Sequence, residues 1–213
     1  MKLNYRPEID GLRAIAVLSV VFYHAKFSFM GENLISGGFL GVDIFFVISG
    51  YLITKLIFIE LKLTNSFSFL RFYQRRARRI LPALFFITII TVILGYAVLL
   101  PYSFKELSQS IIYQLGFISN FYFWSYYHFG YMSDNALLLP FLHTWSLSVE
   151  EQFYLIVPII LFLIFKFLKK YLIFLIFIGF IFSLTLASYF APIFKSLTFY
   201  MLPFRGWELL AGS

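Results

Sequence analysis

Arg13 and His24, two ionisable residues in the first apolar stretch, have the types and the spacing to act on one ligand. On an α-helix their separation is nearly three full turns, so both lie on one face with a rise of roughly 16 Å between them, and Asp10 shares the stripe. Histidine is the usual general base near neutral pH, and a guanidinium suits a phosphorylated ligand. The simpler interpretations are an arginine that snorkels to the interface and a helix-end histidine bonded to a backbone carbonyl.

The second apolar stretch also contains polar residues. On a helical wheel Asp43, Gly50 and Thr54 fall within about 40° of one another. Small residues let membrane helices pack closely, which is the simpler explanation of this face. A lone carboxylate in a membrane helix needs a partner, so Asp43 fits that explanation poorly. Near the end of the sequence, Arg205 and Glu208 are spaced to pair on one helical face.

A basic cluster follows the second stretch. Arg71, Arg75, Arg78 and Arg79 share one face of a helix by their spacing. Such a cluster can determine membrane topology, bind anionic lipid, or clamp the phosphates of a cytoplasmic nucleotide-like donor. The spacing alone does not separate these interpretations.

Two adjacent carboxylates, Glu150 and Glu151, open a later apolar stretch. The helix dipole alone can explain acidic residues at a helix start. Their neighbours are more polar than a cap requires, which favours a functional site: His143, Trp145, Ser146, Ser148 and Gln152.

Composition indicates the class of protein that must position these residues. Of 213 residues, 61% are hydrophobic and 13% are charged, too few charges to cover a water-facing surface. The sequence therefore predicts an all-α, polytopic transmembrane bundle with about five to seven membrane segments. The absence of cysteine excludes disulfides, thiolate–zinc sites and a cysteine nucleophile, and no metal site is predicted. The lysines and arginines that give the net charge of +7 cluster at the ends of apolar runs. This placement indicates that they determine membrane topology rather than bind nucleic acid.

Hydropathy predicts helices over residues 11–29, 38–59, 80–100, 149–168 and 171–190, and the start of another over 199–213. Basic residues at both ends of the first two spans predict a cytoplasmic N-terminus. The stretch 107–127 is ambiguous. If it spans, Lys166, Lys169 and Lys170 fall outside, against the positive-inside rule, so a re-entrant segment is favoured.

Four blocks together resemble acyltransferase family 3, the membrane O-acyltransferases that include O-antigen and peptidoglycan acetyltransferases. They are Arg13 and His24 separated by ten residues, the run FFVISG from Phe45 to Gly50, the run RRARRILP ending at Pro82, and HTWSLSVEEQFY. The resemblance runs from Tyr5 to the last residue, as a single domain over 1–213. Members resemble domains of roughly ten helices, so it also implies that the chain is truncated at its C-terminus.

The resemblance implies transfer of an acyl group, typically acetyl, from cytoplasmic acyl-coenzyme A to an envelope glycan such as lipopolysaccharide, peptidoglycan or exopolysaccharide. It implies a multi-pass protein of the bacterial inner membrane, with acyl-CoA as donor substrate and no permanently bound cofactor. His24 would be the catalytic histidine and Arg13 part of the donor site, with Glu150 or Glu151 near the acceptor. The remaining donor-site residues would be Phe45, Phe46, Ser49 and Gly50 along the passage, and Arg75 with Arg78, or Arg76 with Arg79, on the coenzyme A phosphates.

The mechanism we expect is direct transfer within the membrane. The pantetheine arm would lie along the first two helices, and His24 would deprotonate an acceptor hydroxyl. Asp43 or Glu150 would orient the imidazole, as the third member of a triad does. Two alternatives remain: a transporter of an acyl donor or glycan that uses the same polar stripe, and a non-catalytic remnant that binds partner subunits or lipid.

Overall fold

The computed structural model describes residues 6–25, 28–29, 32–33, 37–126 and 139–213. These residues form the expected all-α bundle, with one small hairpin of β1 (Ser28–Phe29) and β2 (Glu32–Asn33). Its helices are α1 (Pro7–His24), α2 (Leu40–Thr64), α3 (Phe69–Val98), α4 (Pro101–Leu115), α5 (Ser119–Tyr126), α6 (Thr144–Phe167), α7 (Leu172–Phe190), α8 (Lys195–Tyr200) and α9 (Leu202–Gly212).

Within the described part of the chain, four helices are long and apolar enough to cross a membrane: Leu40–Thr64, Phe69–Val98, Thr144–Phe167 and Lys169–Phe190. The last includes a 3₁₀ turn that leads into α7. Helix α1 has 18 residues, and its first half contains Glu8, Asp10 and Arg13. It therefore has only the minimum length for a span and an unusually polar first half.

The prediction that the third helix begins near residue 80 is wrong. Helix α3 begins at Phe69, so the arginine cluster forms its first turns rather than a separate polar segment. Phe72, which is only 1% exposed, anchors these turns in the core. An amphipathic start of this kind is stable as helix because one apolar face is buried while the arginines reach solvent.

Helices α4 and α5 form a broken hairpin in the stretch that was ambiguous by sequence. They have 15 and 8 residues, each shorter than a span, and Phe117 joins them with a left-handed φ of 53°. At the end of α4, the amide of Gln114 donates to Thr88 Oγ1, well inside α3, over 3.1 Å. The hairpin thus enters the bundle beside α3 and turns back, which supports the re-entrant interpretation.

Helix α9 lies between α2 and α7 and runs parallel to α2. A Cβ atom on Gly50 would meet the backbone of Leu209, and one on Gly212 would meet the carbonyl of Val47. Thr54 donates to Ser213 at the end of α9, over 2.9 Å. The predicted common face of α2 is therefore confirmed as a helix-packing face, and α9 is the helix that covers it.

The core lies where α2, α5, α6, α8 and α9 meet. Its largest fully buried side chains are mostly aromatic: Trp145, Tyr200, Phe46, Phe72, Phe123 and Phe141. Most other aromatic and aliphatic side chains of the long helices face outward, as lipid-facing residues do. The polar residues singled out from the sequence are thus held around a rigid aromatic core.

Candidate functional site

Helix α1 contains both Arg13 and His24, as their spacing requires, and packs against α2. Arg13 is partly buried and lies 3.7 Å from Asp10. The seam between the helices is tight, because Cβ atoms on Gly38 and Gly41 would meet backbone carbonyls of α1. A pantetheine arm along these two helices must therefore lie beside the seam rather than within it.

The imidazole of His24 is oriented by its own helix. Its Nδ1 lies 2.8 Å from the carbonyl oxygen of Val20. A carbonyl oxygen only accepts, so Nδ1 donates its hydrogen, and the neutral ring has its lone pair on Nε2. The backbone-carbonyl contact left open from the sequence is confirmed. It also leaves Nε2 in the form that a general base requires.

The expectation that Asp43 or Glu150 orients this imidazole needs correction, because both carboxylates have other partners. Asp43 pairs with Arg205, and Glu150 accepts from Ser49 and Tyr154. The Val20 carbonyl performs the orienting task in this structure.

His143, at the start of α6, lies close enough to His24 for the two rings to interact electrostatically. Desolvation lowers the pKa of His143, its hydrogen bond to the Pro140 backbone opposes this shift, and the neighbouring His24 lowers the pKa further. This proximity joins the first and fourth sequence blocks at one end of the bundle. Sequence reasoning named His143 only as a polar neighbour of the carboxylates, because no spacing rule relates residues on different helices.

Asp43, Arg205 and Glu208 form an ion-pair group beside three aromatic rings, and we call these six residues the Arg205 cluster. Arg205 Nη2 lies 2.5 Å from Asp43, and Nη1 lies 2.9 Å from Glu208, which is 1% exposed. The guanidinium carbon lies 5.7–5.8 Å from the ring centroids of Phe46, Trp145 and Phe199. Both sequence expectations are confirmed here: Asp43 has a partner, and Arg205 pairs with Glu208.

Deeper along α6, Glu150 accepts hydrogen bonds from the hydroxyls of Ser49 on α2 and Tyr154 on its own helix. The guanidinium of Arg76 lies 5.0 Å from the Tyr154 ring centroid. Helix α6 begins at Thr144, so these carboxylates lie beyond its first turn, and the dipole explanation does not apply to them. Glu151 Oε1 is buried and has no hydrogen-bond partner among the described residues.

The arginines of the RxxR pattern differ in their surroundings. Arg76 points into the bundle between the rings of Phe72 and Tyr154. Arg75 is exposed and lies 3.7 Å from Glu60. Arg71, Arg78 and Arg79 are exposed. The exposed members are accessible to a phosphorylated ligand, and their assignment to coenzyme A stays a prediction.

The FFVISG block contributes to packing as well as to the site. Phe46 is 1% exposed, with its ring centroid 6.2 Å from that of Trp145, whereas Phe45 is half-buried. Gly50 allows α9 to approach, which is the small-residue interpretation left open above. A role for these residues in a donor passage stays a prediction.

A buried polar network joins the broken hairpin to α6. The hydroxyls of Ser119 and Ser148 lie 2.7 Å apart, and Thr144 donates to Ser119 over 3.1 Å. Gln152 donates to Asn120 Oδ1 over 2.8 Å. Their polarity was visible in the sequence, but their pairing was not. Within the described ranges, no three His, Asp or Glu side chains are grouped to hold a metal ion.

Comparisons with known proteins identify the family of the chain. The sequence matches a family model described as an acyltransferase domain over residues 6–212. It is 40% identical over 168 residues to the peptidoglycan O-acetyltransferase OatA of Listeria monocytogenes, which covers 78% of this chain and 26% of that protein. It is 39% identical over 185 residues to the O-acetyltransferase OatA of Staphylococcus aureus strain NCTC 8325, which covers 86% of this chain and 29% of that protein. The chain thus spans less than a third of the length of these relatives. No solved structure matches it.

Proposed function

Because the chain belongs to the acyltransferase domain family over residues 6–212, we propose that it is a membrane O-acyltransferase that moves an acetyl group from coenzyme A to a hydroxyl of a cell-envelope glycan. The names of its relatives support this acceptor, since one is a peptidoglycan O-acetyltransferase. The observation that carries the proposal is the bond from His24 Nδ1 to the Val20 carbonyl, which places the lone pair of the neutral imidazole on Nε2.

The proposed orientation follows the positive-inside rule. The N-terminus, the arginines that begin α3 and the lysines after α6 lie at the cytoplasmic end. His24, at the end of α1, and Asp43, at the start of α2, then lie towards the outer surface of the bacterial cytoplasmic membrane. In this orientation acetyl-coenzyme A enters from the cytoplasmic side, and the acceptor hydroxyl reaches His24 from the outer side.

In the proposed reaction, Arg13 and the exposed Arg75 and Arg78 hold the phosphates of coenzyme A through charge-assisted hydrogen bonds. His24 Nε2 removes the proton of the acceptor hydroxyl, whose oxygen attacks the thioester carbonyl carbon. A carbon–oxygen bond forms, the carbon–sulfur bond breaks, and the imidazolium returns the proton to the departing thiolate. A positioned general base typically contributes about 10²–10⁴-fold to such a step.

Membrane vesicles containing the protein test this function when radiolabelled acetyl-coenzyme A is supplied. We expect label to reach an envelope glycan with the unaltered protein and to fall at least 100-fold with His24→Ala, an order of magnitude taken from general-base catalysis. Equal labelling by both proteins would make His24 structural. A transporter would move donor or glycan without forming a new ester, so the chemical identity of the labelled bond separates that alternative.

A further inference from the structure

A cavity of about 300 Å³ opens between the end of α3, helix α4, helix α5 and the turn that precedes α6. Ligand pockets begin at about this volume, which suits a single small ring rather than a whole cofactor. In the proposed orientation the cavity lies at the outer end of the bundle, because α3 ends and α4 begins there.

The two walls of this outer cavity differ in chemistry. Tyr102, Ser103 and Glu106 line it from one face of α4, since they are spaced by about one helical turn. An apolar wall is formed by Leu99, Leu139 and Pro140, together with the buried Phe123 and Phe141. A pyranose ring has the matching pair of surfaces: hydroxyls around its edge, which hydrogen-bond to a carboxylate and hydroxyls, and C–H groups on its face, which pack on apolar side chains.

The cavity is connected to the reactive end of α1 by a short path. Phe141 lines the cavity, and its ring centroid lies 6.5 Å from that of His143. His143 in turn interacts electrostatically with His24. The cavity and the imidazole therefore lie at the same end of the bundle.

We propose that the outer cavity binds one sugar ring of the acceptor glycan, with Tyr102 and Glu106 hydrogen-bonding to its hydroxyls and the apolar wall packing on its face. This inference rests on the proposed function and names where its second substrate is held. The cavity positions the strand so that a hydroxyl of the neighbouring sugar meets His24. It binds the acceptor and takes no part in the bond changes.

The test measures acetyl transfer to muramidase-released peptidoglycan glycan fragments in membranes containing the protein. Glu106→Gln and Tyr102→Phe each remove one hydrogen-bonding function, and Ser103→Trp fills the cavity. We expect Glu106→Gln and Tyr102→Phe each to raise the KM for the glycan by about tenfold, because each weakens a hydrogen bond to the sugar. The kcat at saturating glycan should stay within about twofold of that of the unaltered protein. The KM for acetyl-coenzyme A stays unchanged. Lys105→Gln, an exposed neighbour on α4 outside the cavity, is the matched control and leaves both KM values unchanged.

The outcomes separate the two proposals. If the unaltered protein transfers no acetyl group, the proposed function fails, and the cavity assignment fails with it. If transfer occurs and all three cavity variants keep the KM of the Lys105→Gln control, only the cavity assignment is overturned. If Glu106→Gln reduces the amount of protein in the membrane, Tyr102→Phe decides, because it removes a single oxygen from an exposed side chain.

Discussion

Arg205 Nη2 lies 2.5 Å from Asp43 Oδ1, an ion pair that joins α9 to the start of α2 across 162 residues of sequence. The same guanidinium contacts Glu208 and lies beside three aromatic rings. Charges in a membrane bundle are stable when they face one another in the interior, as these do. The pair therefore links α9 to α2, the helix that contains the FFVISG block.

Replacing Arg205 with methionine should destabilise the bundle. The variant leaves two carboxylates without their cation, and Glu208 is only 1% exposed. Removing one partner of a buried pair costs about 3 kcal/mol in the free energy of unfolding. Titration with sodium dodecyl sulfate in micelles measures this loss. Arg71→Met, an exposed arginine of α3, is the control and should change stability by less than about 0.5 kcal/mol.

Gly50→Ala should separate α2 from α9, because the new Cβ would meet the backbone of Leu209 rather than a flexible side chain. Overpacking of this kind costs about 1–3 kcal/mol. Gly11→Ala is the matched control: it lies in α1 with open space around its Cα, so the exchange should stabilise the helix by up to about 1 kcal/mol. Thermal melting in detergent compares them, and equal melting temperatures would contradict the packing role.

Ser49→Ala and Tyr154→Phe should be non-additive. Both hydroxyls donate to Glu150 Oε1, so each single variant leaves one donor and loses about 1 kcal/mol of unfolding free energy. The double variant leaves that oxygen without either donor and should lose more than the sum of the two. A double-mutant cycle measures the coupling. Additive losses would show that the two hydroxyls act independently.

Acidification should destabilise the protein partly through His143. Its folded pKa is lowered by burial, so between about pH 6.5 and that lower value the unfolded chain binds more protons than the folded one. The contribution to stability is complete above about pH 6.5 and is lost as the pH falls through the folded pKa. Melting temperatures at pH 7.5 and 5 should therefore fall less for His143→Gln than for the unaltered protein, and identical pH dependence would contradict this account.

Much of this architecture could be predicted from helix geometry. Spacing defines the angle between residues on one helix, so the shared face of Asp43, Gly50 and Thr54 and the pairing of Arg205 with Glu208 were accessible to sequence reasoning. Which helix covers that face was not, because it depends on packing between segments far apart in the chain. The Asp43–Arg205 contact and the proximity of His24 to His143 belong to this second kind.

Helix boundaries were predictable only where apolar runs end sharply. Helix α3 extends back to Phe69 because Phe72 is buried, and hydropathy over an arginine-rich segment does not reveal one buried ring. Gly116 marks the break in the sequence, but the left-handed conformation falls on Phe117 after it, a residue type that gives no sign of it. Ser49, one partner of Glu150, was not predictable for the same reason as Arg205, since it lies on a different helix, whereas Tyr154 is one turn away on α6.

The role of His24 as the general base is tested most directly by the rate of acetyl-ester formation on glycan in inside-out vesicles supplied with labelled acetyl-coenzyme A. The rate of His24→Gln is compared with that of Phe22→Leu, a variant of an exposed side chain on the same helix. Glutamine keeps a hydrogen-bonding side chain but provides no base near neutral pH. We expect the rate of acetyl-ester formation to fall at least 100-fold for His24→Gln and to be unaltered for Phe22→Leu, with equal amounts of protein in the membrane. A rate for His24→Gln within twofold of the Phe22→Leu control would contradict the assignment of His24 as the general base.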